Sequence, residues 1–413
     1  MAREAMTAAS PSANALHHPK FVFYWFATWA TSFAVQIMSV SVGWQIYDIT
    51  RDPLDLGLVG LAQFLPPLLM VLFTGLAADT FNRRLIMGLC LVVEIGCAVA
   101  LMLFTLAKPS VVWPVFIILV VLGFARAFYN PASDALAPNL VPQEAIAHGI
   151  SLNSMSWQVA NIAGPVAGGL LYGISGEAAY GVAAALVVLA VALIAMIGTV
   201  AQSNHAGETS LGTLLAGFKF IRKERIVLGA ISLDLFAVLL GGAVALMPVY
   251  ARDILEVGPL GLGLLRAAPG VGAVIMALYL AKFGIRDRAG IILFVFVAAF
   301  GLFTVVFGFS TWVPLSVAAL ALMGACDMVS VYIRETLLQL WTPDEVRGRV
   351  NAVNRVFLGA SNELGEFRAG VAAAWIGAVA AVTIGGAGTV AVAALWSRWF
   401  PELRNARRLD APG

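Results

Sequence analysis

The fold is decided by the one long polar interval in the middle of the chain, QSNHAGETSLGTLLAGFKFIRKER, which occupies residues 202–225. It separates two strongly apolar halves of similar length. Hydrophobic residues make up 61% of the 413 and charged residues only 12%, whereas a soluble domain carries about 25% charged residues. The composition therefore indicates an integral membrane protein with a polar linker at its centre.

Apolar stretches long enough to cross a bilayer recur on both sides of the linker. A membrane-spanning helix needs about 20 apolar residues and a membrane-spanning strand only about 10, so runs of this length predict helices. We predict twelve spans: residues 21–47, 56–78, 85–106, 111–134, 149–174 and 178–200, then 226–251, 259–281, 290–309, 313–338, 350–372 and 378–399. The predicted class is an all-α membrane protein, with six-helix bundles in residues 1–200 and 226–413 and a cytoplasmic linker in residues 201–225.

The basic residues predict how the chain is oriented. Most Lys and Arg fall in segments that share one side with the two termini, such as those around Arg83 and Lys282, whereas the opposite loops hold only Arg51, Lys108 and Arg252. Basic residues collect on the cytoplasmic side of membrane proteins. We therefore expect a multi-pass protein of the cell (inner) membrane with both termini in the cytoplasm.

Residues 211–223 of the linker predict an amphipathic helix. Leucines, Phe218 and Ile221 share one face, and the other face carries Lys219, Arg222 and Lys223. A helix of this kind lies on the inner surface of a membrane. The alternative interpretation is a solvated linker helix.

The two halves are copies of each other. A shift of 203 residues places Tyr47 on Tyr250, and a shift of 201 places the segment 142–144, Pro-Gln-Glu, on the segment 343–345, Pro-Asp-Glu. Six spans per copy is an even number, so both copies enter and leave on the same side. The sequence therefore predicts parallel repeats related by an axis along the membrane normal.

This organisation resembles the major facilitator superfamily, and three local motifs support the resemblance. GLAADTFNRR, residues 75–84, is similar to the signature G-x-x-x-D-R-x-G-R-R of that family, with Thr80 and Asn82 as its departures. GPVAGG, residues 164–169, is similar to the end of the exporter-type signature. The segments 130–142 and 343–350 resemble the branch that contains the enterobactin exporter and the macrolide-efflux proteins.

The resemblance implies a gate at the cytoplasmic side of the bundle. Charges near helix ends can pair with one another and with helix dipoles, and so latch the inner side of an outward-open state; plain surface charge is the alternative. The predicted gating residues are Gly75, Asp79, Arg83, Arg84 and Asp134 in the first half and Lys282, Arg286 and Glu335 in the second.

Small residues in the fifth span predict a close helix contact. Glycines four residues apart let two backbones touch, and a proline removes one helix hydrogen bond and permits a bend. The predicted packing residues are Gly164, Pro165, Gly168 and Gly169. The resemblance adds that this segment is typical of exporters.

Asp234 is the first candidate for proton coupling. A charge at mid-bilayer costs at least about 2.5 kcal/mol, so such residues are mostly functional or paired. Asp234 aligns with Thr31 in the first half and has no basic residue within a helical turn. Desolvation disfavours the charged form of a carboxylate, which lets this side chain gain and lose a proton. An Asp capped by neighbouring hydroxyl groups is the alternative.

Three further carboxylates are candidates for the same role. Asp327 is the repeat equivalent of Arg126, so the two could pair across the halves, or Arg126 could pair locally with Glu94. Glu363 and Glu366 lie three residues apart on one helix face, where their mutual repulsion favours a proton on one of them. Neutralisation by the neighbouring Asn362 and Arg368 is the alternative for these glutamates.

The resemblance also implies which helices line a central cavity, namely the first, fourth, seventh and tenth. Arg126 would then face a substrate, and aromatic rings on these helices could stack on it; packing or lipid contact is the alternative for each ring. The predicted cavity residues are Arg126, Trp29, Tyr47, Phe128, Tyr129, Phe236 and Tyr332.

The function implied is a secondary active exporter that exchanges protons for an amphipathic small molecule, such as a siderophore, a drug or a natural product. The expected partners are that substrate, protons and the lipid bilayer, with no nucleic acid, cofactor or metal, and the chain is expected to act as a monomer. An uptake permease of the same fold and a non-transporting receptor are the alternatives. Metalloprotease, serine-hydrolase and phosphate-binding motifs are absent and all four histidines lie outside the spans, so the sequence does not indicate an enzyme.

Overall fold

The computed structural model describes residues 14–200, 211–285 and 287–406, and within these ranges the chain forms helices and no strand. Six long helices make up the first half. They are α1 (Pro19–Thr50), α2 (Pro53–Thr80), α3 (Arg83–Leu106), α4 (Trp113–Leu136), α5 (Ile146–Ile174) and α6 (Gly176–Met196).

The linker helix and the second half follow in the same order. The linker helix is α7 (Leu211–Lys223). The second half contains α8 (Arg225–Gly241), the short α9 (Met247–Val249), α10 (Gly258–Phe283), α11 (Ala289–Phe309), α12 (Val313–Trp341), α13 (Asp344–Ile376), α14 (Ala378–Trp399) and the terminal turn α15 (Pro401–Arg404).

Local sequence explains where the helices begin and end. Arg51 ends α1 in the left-handed conformation, and the Asp52 side chain then caps α2 by accepting a hydrogen bond from the Leu54 amide. Asn82 caps α3 in the same way through the Leu85 amide, at 3.2 Å. The departure from the family signature at Asn82 is therefore a change of capping residue, and asparagine is a favourable one.

Ten helical stretches of the described chain are long and apolar enough to cross a membrane. The two remaining long helices, α5 and α13, are no shorter but carry more polar side chains. They occupy equivalent positions in the two repeats, and each packs against a helix of the opposite half. Their polar residues are tolerated because these helices face the interior of the bundle more than they face lipid.

The two halves repeat one packing pattern. In the first half α1 packs on α5 and α6, α2 packs on α4, and α3 packs on α4 and α6. In the second half α8 packs on α13 and α14, α10 on α12, and α11 on α12 and α14. The main contacts between the halves are α2 with α13 and α5 with α10. The repeat relates α2 to α10 and α5 to α13, so a two-fold axis turns each of these contacts into the other. The predicted two-bundle, all-α architecture is thereby confirmed, while the boundaries at residues 200 and 225 remain a prediction.

Backbone contact holds α5 against α10. A Cβ atom on Gly169 would lie 2.3 Å from the carbonyl oxygen of Pro259, and one on Gly263 would lie 2.5 Å from that of Pro165. Neither position has room for a side chain. The other predicted packing glycines contact α1 inside the first half, where a Cβ atom on Gly164 would lie 2.6 Å from Gln36 Cβ and one on Gly168 would lie 3.0 Å from Ile37 Cα.

The seventh span, predicted as one helix over residues 226–251, is interrupted. Helix α8 ends at Gly241, and the chain continues through a 3₁₀ turn (Val244–Leu246), α9 and a π-helical turn (Tyr250–Ile254). The interruption frees backbone carbonyls inside the bundle, where they need a donor. Arg368 of α13 supplies it, with hydrogen bonds of 2.8 Å to Leu239 O and 2.5 Å to Leu240 O.

Helix α7 packs against the second half. Ile221 is 2% exposed in a buried cluster with residues of α8, α12 and α13, and the Phe218 ring lies 6.4 Å from that of Phe357. The basic residues of the opposite face are exposed. Of the described apolar face, Ile221 therefore packs on protein whereas Phe218 is 47% exposed, and the expectation that the helix rests on the membrane surface stays a prediction.

We expect Gly169→Ala to lower the free energy of unfolding by about 1–3 kcal/mol, because overpacking of a filled contact costs that much. Thermal unfolding in detergent would measure it. Gly173→Ala is the matched control on the same helix, because nothing lies within 4 Å of its Cβ position; there the better helix propensity of alanine should stabilise by about 0.5–1 kcal/mol. Equal effects at the two glycines would contradict the contact.

Candidate functional site

Polar side chains join the two halves at one end of the bundle. We call this the Arg51 end, because it holds the turn at Arg51 and the turn around residues 252–257; the terminal end, opposite, holds the start of α1 and helix α7. Asp253 of the second half accepts hydrogen bonds from the Tyr47 hydroxyl and from Nη1 of Arg51, the latter at 2.8 Å. Both donors lie on the first half, so Asp253 ties the halves together.

A second tie lies beside the first. Arg252 of the second half forms an ion pair with Asp48 of the first, and its guanidinium carbon lies 5.4 Å from the centre of the Trp44 ring. A guanidinium over an aromatic face gains cation–π attraction. The Arg51 end is thus closed by two carboxylates, two arginines and two aromatic rings drawn from both halves.

In the described chain, apolar contact between the halves is found at the Arg51 end and reaches the middle of the bundle, where Ile162 meets Gly270. One buried cluster combines Val40, Trp44 and Leu56 of the first half with residues such as Leu246 and Tyr250 of the second. The other three buried clusters each lie within one half, the last including α7. In the described chain the buried apolar cluster shared by the two halves therefore lies at the Arg51 end.

At the terminal end the ion pair between the halves in the described chain is weak. Arg355 and Asp134 approach to 4.0 Å, with side chains 78% and 76% exposed, and exposed pairs contribute about 0–1 kcal/mol. Asp79 lies 3.9 Å from Arg83 on the same half. In this state these charges do not latch the two halves.

The predicted gate arginines instead hold the first half together. Nε of Arg83 donates to Ala78 O at 3.0 Å and its Nη1 to Ala135 O at 3.1 Å. Arg84 donates to the carbonyls that end α6, those of Ile194, Ala195 and Gly198. The motif that contains Gly75 and these arginines therefore joins α2, α3, α4 and α6.

The corresponding residues of the second half do not form a latch either. Lys282 is exposed at the end of α10, with its ammonium 5.3 Å from the Phe283 ring. Glu335 accepts a hydrogen bond of 3.2 Å from Asn354. Arg286 lies outside the described residues.

Two carboxylates from α13 meet where the halves come together. The Oε2 atoms of Glu363 and Glu366 each lie 3.2 Å from the point that a Cβ on Gly60 of α2 would occupy. A glycine at this position therefore lets both carboxylates approach the opposite half. Within the part of the chain that the structure describes, neither has a basic partner within 4 Å.

Arginines from both halves surround this pair. Arg266 of α10 interacts electrostatically with Glu363 and Glu366, and its Nη1 donates to Ser39 Oγ of α1 at 2.8 Å. Its Nε is buried and has no hydrogen-bond partner among the described residues. Arg126 of α4 lines a pocket that also includes Ser39, and it too interacts with Glu363. We call Arg126, Arg266, Glu363 and Glu366 the central cluster.

Arg126 also has a local partner. Its Nε lies 3.7 Å from Oε1 of Glu94 in α3, and Glu94 is fully buried with no hydrogen-bond partner for either oxygen in the described ranges. The local pairing predicted as one of two alternatives is therefore confirmed. No ion pair joins Arg126 to Asp327 in the described chain; Asp327 lines a separate pocket in the second half with Asp234 and Ser330.

The interpretation of Asp234 as a carboxylate without a basic neighbour is wrong. Arg334 of α12 forms an ion pair with it, and the two side chains are 3% and 9% exposed. The prediction considered neighbours along the same helix, whereas this partner comes from another one. Arg334 stands beside the predicted gate residue Glu335, which it approaches to 3.9 Å.

Sequence reasoning also missed Arg266 as a candidate site residue. The signal was present, because Arg266 is a charged residue inside the predicted span 259–281. In contrast, Arg368 was named as a possible neutraliser of the two glutamates. The structure places its guanidinium on the carbonyls of α8 instead.

The predicted cavity aromatics are dispersed through the bundle. Tyr47 belongs to the closed Arg51 end, and Phe236 is 39% exposed and packs on Trp396. Trp29 packs on Phe33 of its own helix, at 4.5 Å between ring centres. The others pack in the core of one half: Phe128 and Tyr129 in the first, and Tyr332 in the second.

The profile of a family described as transmembrane secretion effectors matches residues 9–410. The chain belongs to the major facilitator superfamily. It is 27% identical over 401 residues to the enterobactin exporter EntS of Shigella dysenteriae serotype 1 and to that of Escherichia coli K12, with 95% of this chain and 94% of each relative covered. Its family and these relatives are transporters and not enzymes, so this protein is a multi-pass membrane transporter.

Solved structures of the superfamily share the fold. A bacterial homologue of the human lysosomal transporter Spinster, in an inward-facing conformation, matches with a TM-score of 0.74 at 15% identity, covering 96% of this transporter and 99% of that chain. The nucleoside transporter NupG matches with a TM-score of 0.72 at 14% identity, covering 92% and 99%. At these identities the likeness concerns the fold alone.

We expect Asp234→Asn and Arg334→Gln each to destabilise the transporter by about 3–5 kcal/mol, because each leaves an uncompensated buried charge. The double variant leaves neither charge and should recover much of the loss. Thermal unfolding of the purified proteins would measure the coupling. Single variants as stable as the unmodified protein would show that the pair does not exist in the membrane-folded state.

Proposed function

We propose that this transporter is a proton-coupled exporter of an amphipathic small molecule, working by alternating access in the cell inner membrane. Similarity over nearly the whole chain to proteins named enterobactin exporters supports the direction of transport. The positive-inside distribution of Lys and Arg supports cytoplasmic termini. Under that orientation the Arg51 end faces outward and the terminal end faces the cytoplasm.

The state described by the structure is then inward-facing. The halves are closed at the Arg51 end by Asp253, Arg252 and their partners, whereas the ion pair described between them at the terminal end is exposed. We assign the Arg51-end residues to the outer gate, which must open when cargo leaves. The predicted cytoplasmic gate, including Asp79, Arg83 and Asp134, would engage only in the opposite state.

The single observation that carries the proposal is the central cluster. Glu363 and Glu366 both approach Gly60 of the other half, and Arg266 of their own half interacts with them electrostatically. Two neighbouring carboxylates cannot both be ionised at low cost in a low-dielectric site, so one of them readily keeps a proton. We therefore place proton coupling at this pair rather than at Asp234, whose charge Arg334 already matches, while Asp327 is a second choice.

An uptake permease of the same fold is the alternative, and a non-transporting receptor is a weaker one. Two features favour a transport cycle over a static receptor. One is the gate of paired charges at the Arg51 end, and the other is the carboxylate pair without a basic partner in the middle. Nothing in the site itself distinguishes export from uptake. The direction rests on the similarity to exporters.

The test is proton movement in everted membrane vesicles with an acidified lumen. Siderophores, macrolides and lipophilic cations would be added singly to vesicles containing the unmodified transporter or Glu366→Gln. We expect at least one compound to release protons from the lumen while it accumulates inside, and Glu366→Gln to abolish that release. Glu177→Gln, which changes a glutamate at the start of α6 outside the central cluster, is the matched control and should behave as the unmodified protein.

Two outcomes would contradict the proposal. Accumulation in intact cells instead of everted vesicles would assign uptake. Full proton release in Glu366→Gln and in Glu363→Gln would remove the carboxylate pair from the coupling step.

We also expect Asp253→Asn to weaken the outer gate, because it removes the charged partner of Arg51 and Tyr47. A loss of about 1 kcal/mol changes a two-state population about fivefold. The measurement is the rate at which a membrane-impermeant maleimide, applied from outside, labels Gln63→Cys in a protein whose three buried cysteines are replaced by alanine. Asp55→Asn removes a carboxylate at the same end but outside the gate, and should leave the labelling rate unchanged. An unchanged labelling rate in Asp253→Asn would contradict the gate.

A further inference from the structure

A second pocket lies inside the second half and shares no residue with the central cluster. We call it the Asp327 pocket. Its walls come from α8, α11 and α12, and its polar side chains are Asp234, Asp327 and Ser330. The rest of the wall is apolar apart from the Cys326 thiol. The pocket has a volume of about 10 Å³, which is room for about one water-sized occupant.

Asp327 has no counter-charge in this pocket. It takes part in no ion pair of the described chain, and no arginine or lysine there acts on it electrostatically. Arg334 of the same helix is paired with Asp234 instead. Arg368 of α13 keeps its charge, but its guanidinium lies on the carbonyls at the end of α8. A carboxylate inside the membrane without a counter-charge is costly, so the pocket calls for one positive charge.

The hydroxyl of Ser330 is a second unmatched group in the same place. Ser330 is 5% exposed and lines the pocket. It follows Asp327 by three residues, so both side chains lie on one face of α12. Further along this helix the Thr336 hydroxyl donates to the carbonyl of Tyr332 at 2.7 Å, whereas that of Ser330 has no hydrogen-bond partner among the residues described. Two oxygen-bearing side chains of α12 are therefore directed into one small space.

The occupant that fits these groups is a small monovalent cation. Carboxylate and hydroxyl oxygens are ligands for hard cations, and selectivity among these follows cavity size and ligand number. In the part of the chain that the structure describes, no group of three or more His, Cys, Asp and Glu is placed to hold a metal ion. A divalent or transition-metal ion is therefore not indicated. K⁺ is larger than Na⁺ and needs more ligands, so a pocket of this size favours Na⁺.

We propose that the Asp327 pocket is a binding site for one sodium ion, held by the carboxylate of Asp327 and the hydroxyl of Ser330, with Asp234 facing them from α8. Every lining residue belongs to the second half. An ion there does not cross between the halves and stays bound while they move against each other. The inference therefore goes beyond the proposed function, because it depends neither on the direction of transport nor on the exchange of protons for cargo.

The position of the ion gives it a structural effect. Asp234 of α8 and Asp327 of α12 bring two carboxylates to one pocket, where like charges repel in a low-dielectric interior. Arg334 offsets the first of these charges and the sodium ion offsets the second. Ion pair and ion together hold α8 against α12. Sodium should therefore stabilise the folded second half.

The test is thermal unfolding of the purified full-length transporter in detergent at fixed pH, followed by tryptophan fluorescence. Choline chloride would be replaced stepwise by NaCl or by KCl at constant ionic strength. We expect the unfolding temperature to rise with the NaCl concentration, because a ligand that binds only the folded state stabilises it. KCl should give no rise beyond choline chloride. Equilibrium dialysis with radioactive sodium should find a single bound ion per chain.

Variants locate the ion. Asp327→Asn should lose both the response to NaCl and the binding of radioactive sodium. Ser330→Ala should raise the dissociation constant for sodium at least about fivefold. Thr336→Ala is the matched control on the same helix, because that hydroxyl is already bound to its own helix, and it should bind sodium as the unmodified protein does. The Glu363→Gln/Glu366→Gln double variant should also keep the response, since the pocket contains neither glutamate.

The inference is overturned if KCl stabilises as much as NaCl, which would be a general salt effect, or if no sodium binds and the pocket holds water only. Full sodium binding by Asp327→Asn would overturn it as well. Loss of sodium binding in the double glutamate variant would assign the ion to the central cluster instead.

These outcomes are separable from failure of the proposed function. Sodium binding in detergent has no direction and does not involve cargo. A proton-coupled exporter without a sodium site would pass the vesicle test and fail here. A protein that imports its cargo would fail the vesicle test and still bind sodium.

Discussion

The structure depends on one constraint, which is that a polar group inside the hydrocarbon must meet a polar or charged partner in the protein. The constraint acts on backbone and side chains alike. Because of it every span is a helix. Arg368 donates hydrogen bonds to the carbonyls freed where α8 ends, and Asp234 forms an ion pair with Arg334. It also makes Glu363 and Glu366 conspicuous, since both approach Gly60 of the other half and neither has a basic partner within 4 Å in the described chain.

The same constraint explains why the halves differ in what they can do. At the position of Asp234 the first half has Thr31, which satisfies itself by donating to the carbonyl of Ala27 on its own helix. The first half holds its buried charge in the Glu94–Arg126 pair, whereas the second half contributes both glutamates of the central cluster. A duplicated scaffold thus carries an unduplicated charge pattern, and both glutamates of the central cluster belong to one repeat.

Sequence alone predicted the fold well and the site incompletely, and the reason lies in the range of the interactions. Span length, basic-residue asymmetry and the internal repeat are properties of the chain itself, so they predicted the two bundles, and the glycine pattern at 164–169 predicted a close helix contact. Which residue pairs with a buried carboxylate depends instead on tertiary packing. Arg334 and Arg266 lie on other helices than the carboxylates with which they interact, so spacing along one helix could not predict these partners. The carbonyls freed by the interruption near Gly241 likewise receive their donor from a residue 127 positions away in the sequence.

The bond between Arg368 and the end of α8 has a mechanical consequence. Arg368 lies two residues beyond Glu366 on α13, and the chain that leaves α8 continues through α9 to Arg252 and Asp253. Arg368 therefore links the helix that carries Glu366 to the segment of chain that carries Arg252 and Asp253. Through these hydrogen bonds and the interrupted seventh span, the centre of the bundle is connected to the Arg51 end.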